Sequence, residues 1–131
     1  MIDVENQVFT ELKTKLVAYN PKIGVASVFQ NTPSTFPFVS IEMIDNSKSL
    51  SLADMCGNEN GADTSFEIHI YSKSTENKKT EAKKISQVVD EYFNSIGFWR
   101  NSYVPFQDNE TFRIVLRYSA VVSKNHITYR R

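Results

Sequence analysis

Residues 66–97 constrain the fold more than any other stretch of the chain. Phe66, Ile68 and Ile70 alternate strictly with Glu67, His69 and Tyr71, so one set faces one side of a strand and the other set the opposite side. A polar turn, Ser72-Lys73-Ser74-Thr75, follows. Ala82, Ile85, Val88, Val89, Tyr92, Phe93 and Ile96 then recur at helical spacing up to Gly97. A period of two giving way to a period of 3.6 across a tight turn is the pattern of a strand feeding a helix that folds back on its sheet. Ser74 or Thr75 can cap this helix, Glu76 suits its first turn, and Gly97 suits its C-terminal stop.

The remaining elements arrange themselves around this unit. Val4, Val8, Leu12 and Leu16, widened by Phe9 and Val17, predict a first helix from Asp3 to Asn20, stopped by Asn20-Pro21. Ile23–Gln30 is a first strand candidate. Phe38–Ile44 is a second, half-buried strand entered through Pro37, with Val39, Ile41 and Met43 on one face and Ser40 and Glu42 on the other. Asp45–Gly61 is rich in turn formers and reads as a projecting loop or arm between two antiparallel strands. Phe98–Phe106 is aromatic and contains Pro105, which fits an edge strand, and Gln107–Glu110 reads as a turn. Thr111–Lys124 alternates cleanly, with Phe112, Ile114, Leu116, Tyr118, Ala120 and Val122 on one face and Arg113, Val115, Arg117, Ser119, Val121 and Ser123 on the other. Its second face is partly apolar, so contact on both sides is expected. The tail after it is a short strand extension at most. The order α-β-β-β-α-β-β predicts an α+β domain: a mostly antiparallel sheet of about five strands with two helices on one face. With 131 residues and no linker or repeat, residues 1–131 read as a single domain.

Composition narrows the function classes. The hydrophobic fraction of 40% and the 9 Phe, 6 Tyr and 1 Trp are too high for a disordered chain. Apolar runs are only a few residues long, against the roughly 20 a membrane-spanning helix needs, so no membrane partner is expected. The first residues show no basic segment followed by an apolar block, so no secretory signal is expected. Fifteen basic and fifteen acidic residues give a formal charge of zero, which supplies no global attraction to nucleic acid. The lysines at 73, 78, 79, 83 and 84 gather near the long helix's start, and with Trp99, Tyr103 and Phe106 they outline a weak basic and aromatic surface. No known nucleic-acid motif accompanies it, and a nucleic-acid partner is not expected.

Motifs of catalysis are absent. The glycines at 24, 57, 61 and 97 are too dispersed for a phosphate-cradling loop. The lone Cys56 excludes an internal disulfide and a multi-cysteine zinc site. His69 and His126 have no neighbouring motif to orient them and read as surface or interface residues. Glu42, Asp45, Asp63 and Glu67 have no spacing that demands a metal. Neither an enzyme nor a cofactor is expected. A doubly apolar last strand, an aromatic edge strand and a long arm are more surface than a monomer leaves bare, and copies of the chain can cover it.

Three places in the chain resemble the tail-terminator, or tail-to-head joining, proteins of long-tailed bacteriophages and prophages. They are the opening helix followed by Phe36-Pro37-Phe38-Val39-Ser40-Ile41; the stretch Glu67-Ile68-His69-Ile70-Tyr71-Ser72-Lys73-Ser74 with the helix Thr80-Glu81-Ala82-Lys83-Lys84-Ile85; and the closing strand Phe112-Arg113-Ile114-Val115-Leu116-Arg117-Tyr118-Ser119-Ala120-Val121. The resemblance covers most of the chain in topology, through structural patterns and no active-site motif. It implies a non-enzymatic virion component, made in the host bacterial cytoplasm. Such a protein forms a ring, often hexameric, at the head–tail junction, ends tube polymerisation, and meets the tail-tube and head-completion proteins. On this reading Asp45, Lys48, Leu50, Leu52 and Met55 are candidates for tube contacts. Trp99, Tyr103, Phe106, Arg113, Val115, Arg117 and Val121 are candidates for the subunit interface. The alternatives are another head–tail connector or minor capsid completion protein, and a small nucleic-acid-binding α+β module.

Overall fold

The computed structural model describes residues 4–27, 36–48, 61–73, 78–108, 111–123 and 128–129. The elements in chain order are α1 (Glu5–Tyr19), β1 (Gly24–Ala26), β2 (Phe38–Lys48), β3 (Gly61–Ser72), α2 (Lys78–Ser95), β4 (Trp99–Asp108), β5 (Thr111–Ser123) and β6 (Thr128–Tyr129). The sheet runs β1-β2-β3-β5-β4, with β6 beside β5. Only the short β1–β2 pair is parallel; the other described pairs are antiparallel. The fold is α+β, with α2 over β3, β5 and β4 and α1 over β2.

The register explains the core. Ile41 pairs with Ile68, which pairs with Leu116; Val39, Ile70 and Ile114 form the next row. Directly paired residues share a face of the sheet, so these rows build one apolar surface. Val4, Val8, Leu12 and Leu16 of the first helical segment and Ala82, Ile85, Val89, Tyr92 and Phe93 of α2 close over it. Phe93 is the central piece: its ring stacks on Tyr118 at 4.3 Å and meets Phe66 and Phe98 at 5.8 and 5.4 Å. The Tyr118 hydroxyl would be unsatisfied in this core, but it donates to Asp90 Oδ1 at 2.9 Å.

Both helices stop by the means their sequences prescribe. Asn20 turns to an extended backbone before Pro21. Gly97 takes φ 86°, while Phe98 N–H bonds to Phe93 O and Gly97 N–H to Asn94 O, the paired bonds of a Schellman stop. Ser72 Oγ donates to Glu81 at 2.7 Å, tying the end of β3 to the first turns of α2.

Four expectations change. The first strand is only Gly24–Ala26 rather than Ile23–Gln30, of which 28–30 lie outside the described residues. Val17 is 37% exposed, so α1 buries a narrower stripe than its sequence indicates. Asp45–Lys48, expected as the start of a loop, continue β2 and pair with Ser65–Ala62, and Gly61 already belongs to β3. Cross-strand hydrogen bonding from β3 outweighs the turn composition of Asp45-Asn46-Ser47-Lys48, and a bulge between Met43 and Asp45 takes up the irregularity. Gln107 and Asp108, expected in a turn, likewise pair with Phe112 and Thr111.

Candidate interaction surface

The face of the sheet opposite the helices carries the polar members of each alternation. Glu42 lies across from Glu67 and Ser40 across from His69. On the other side of β3, Glu67 lies across from Arg117 and His69 across from Val115. The strand register therefore brings Glu67, His69, Arg113 and Arg117 into one group although they are up to 50 positions apart.

A continuous chain of hydrogen bonds connects them. Arg117 Nε donates to Glu67 Oε2 at 2.8 Å. His69 Nε2 lies 2.5 Å from Glu67 Oε1, and Arg113 Nη2 lies 2.7 Å from His69 Nδ1. A guanidinium can only donate, so Nδ1 is the acceptor and the ring proton sits on Nε2, directed at the carboxylate. Burial lowers the His69 pKa and Arg113 lowers it further, against the opposing pull of Glu67. Burial would raise the Glu67 pKa, but the bonds from His69 and Arg117 outweigh it and the net shift is downward. The ground state is thus a neutral imidazole between an anion and a cation.

Aromatic rings complete the group. The Arg113 guanidinium lies 5.0 Å from the centre of Tyr71 and 5.4 Å from that of Phe106, so one side chain bridges central β3 to edge β4 by cation–π contact. His69 stacks on Tyr71 at 6.4 Å. Because of this packing His69 is only 6% exposed, which corrects its reading as a surface residue. Both imidazole nitrogens are committed to hydrogen bonds, so the ring has no lone pair to offer as a general base. Ser40, across the strand from it, is fully buried, and its hydroxyl makes no hydrogen bond to the ring. The arrangement lacks the nucleophile–base bond of a hydrolase. Among the described residues no group of three or more His, Cys, Asp or Glu could hold a metal, and no helix is long and apolar enough to cross a membrane.

Strand β4 closes one side of the sheet and is the most apolar exposed element. Trp99, Tyr103, Val104 and Phe106 are 61%, 38%, 49% and 37% exposed. Trp99, Val104 and Phe106 pair with Ser119, Val115 and Arg113 on the polar face. Tyr103 pairs with Leu116 and turns to the helix side. There it lines a cavity of about 230 Å³ with Lys83 and Arg100. The expected interface residues therefore divide: Trp99, Phe106, Arg113, Val115, Arg117 and Val121 share the polar face, and Tyr103 does not. Of the expected lysine cluster, Lys83 meets Tyr103 at this cavity, while Lys73 lies elsewhere, 5.5 Å from the centre of the Phe36 ring. Of the expected tube-contact residues, Asp45 and Lys48 lie in β2, while Leu50, Leu52 and Met55 lie outside the described residues.

Comparison with known proteins is informative for the fold. No family model and no curated protein matches the chain. Among solved structures, 24 chains match. One belongs to the virion of a native gene transfer agent particle; it is 16% identical and superposes with a TM-score of 0.63 over 92% of this chain and 94% of its own. A second solved chain is 12% identical with a TM-score of 0.52 over 91% of this chain and 94% of its own. At these identities the likeness establishes a shared whole-domain fold.

Proposed function

We propose that this chain is a structural component of a phage or phage-like virion that caps the tail tube, ends its polymerisation and joins tail to head through protein–protein contacts. The observation that carries this reading is the end-to-end likeness in fold to a chain of a gene transfer agent virion. The resemblance of its helix, strand and closing-strand segments to tail terminators points the same way. The polar face supports a non-enzymatic role, since its only described histidine is spent on structure. In this role the chain forms a ring, and six copies would match the family. The polar sheet face and β4 supply the subunit contacts through Trp99, Phe106, Arg113, Val115, Arg117 and Val121. Asp45 and Lys48, in the last part of β2, are the described candidates for contact with the tube or a neighbouring subunit, and the head-completion protein meets the ring's far side. The protein resides in the virion at the head–tail junction.

Disruption of the gene tests this directly. The expected outcome, read by electron microscopy of negatively stained lysates, is overlong tail tubes and heads without tails. Tails of normal length on complete particles contradict the proposal. Separate heads and tails with tubes of normal length indicate instead a head–tail connector or completion protein without length control.

A further inference from the structure

We infer that the aromatic β4 edge of one copy docks on the acidic stretch of β2 beyond its pairing with β1 in a second copy, head to tail, through side chains and not by strand addition. The inference rests on the assembly role proposed above and adds the two complementary surfaces. Among the described residues, four of the seven exposed large apolar side chains lie on β4. Cations outnumber acids around them: Arg100, paired with Asp90, and Arg117, paired with Glu67, have side chains 51% and 56% exposed, and Lys83 lines the adjoining cavity. At the other side of the sheet Ile44 is thrown outward by the β2 bulge and is 45% exposed. Exposed Asp45 and half-buried Glu42 flank it, and the Glu5 carboxylate accepts the Met43 N–H at 3.3 Å. One edge is thus apolar with a basic rim, and the other carries an apolar residue among acids.

Neither edge favours an added strand. Pro105 has no N–H and is tolerated in β4 only where its nitrogen faces away from β5, so the free edge lacks a donor in its middle. The outward N–H of Met43 is already taken by Glu5, and the bulge interrupts the β2 ladder beyond it. Side-chain packing remains, and the charges then set the register. The occupant is a second copy because a single molecule carries both complementary halves. The two edges are three strand spacings apart, about 14 Å, so one patch meets a different patch. Such contacts are heterologous and build rings or filaments rather than closed two-fold dimers.

A charge-swap experiment on the full chain decides the matter, with thermal melts to establish that each variant folds. In sedimentation velocity over a concentration series, Arg100→Glu and Asp45→Lys should each weaken self-association by about tenfold or more. An equal mixture of the two should recover it, because the reversed β4 edge then meets the reversed β2 edge. As a second measurement, a spin label on Val104→Cys, in a Cys56→Ser background, should broaden the Ile44 methyl signals of a separately labelled copy. Unsubstituted protein that stays monomeric at millimolar concentration, variants that associate normally, failure of the mixture to recover, or broadening confined to β4 each overturn the inference. Those results leave the tail-capping role standing. Normal tails from a disrupted gene would remove that role while leaving the pairing of edges intact.

Discussion

The two faces of the sheet are made by the same strands, β3 and β5 above all, and solve burial in opposite ways. On the helix side, Phe66, Ile68, Ile70, Ile114 and Leu116 are fully buried under α2, and removal of apolar surface from water supplies the stability. On the other side, burial falls on Tyr71, His69 and Glu67, and each polar atom needs a named partner. The first face tolerates any well-shaped apolar substitute of similar volume. The second is an ordered relay, Arg117 to Glu67 to His69 to Arg113, that fails when one member is lost. A sheet can therefore have an apolar core on one side and a hydrogen-bonded polar network on the other, specified by alternate residues of a single strand.

Substitutions can break this contrast, and the helix side should show the largest effect. Phe93→Ala should cost about 3–5 kcal/mol in denaturant unfolding, because it leaves a cavity among four other aromatic rings. Glu67→Gln should cost about 1–3 kcal/mol by leaving His69 and Arg117 imperfectly paired; a loss below a few tenths would mean the relay is not cohesive. Acid should separate the faces next. The folded pKa of His69 lies below its ordinary 6.5, so the unfolded chain binds the proton first. Stability should decline as pH falls below about 6.5, until the folded pKa is passed. The depressed Glu67 pKa adds a second decline below 4.5. His69→Gln should abolish the first decline and retain the second, as read from melts across pH. Tyr118→Phe, which removes the hydrogen bond to Asp90 from the helix side, should cost about 0.5–1.5 kcal/mol. Arg100→Gln, at an exposed ion pair 3.2 Å long, should change stability by no more than about 1 kcal/mol.

How much of this was legible in the chain follows from the range of the interactions. The helix-side core was readable because period-2 and period-3.6 patterns are local: every buried residue of β5 and the full apolar stripe of α2 appear in their own segments. The edge position of β4 was readable from Pro105, since a missing N–H rules out a central strand. The length of β2 was not, because Asp45–Lys48 look like turn residues until β3 is placed beside them. His69 was misread for the same reason. Its alternation assigns it to the polar face, but its burial depends on Arg113 and Tyr71, and a strand register joins residues that the sequence leaves 44 positions apart. A Glu-x-His on one strand with Arg-x-x-x-Arg on another was the available signal, and only the pairing gives it meaning.

The exposed face and edge are proposed to serve assembly at the end of a tail. Cryo-electron microscopy of intact particles, with this chain fitted to the density, tests it most directly. The expected result is a single ring of copies between tail tube and head, with β4 and the polar sheet face inside the subunit contacts. Absence of the chain from the particle, or a ring whose contacts leave Trp99, Val104 and Phe106 in solvent, would contradict it.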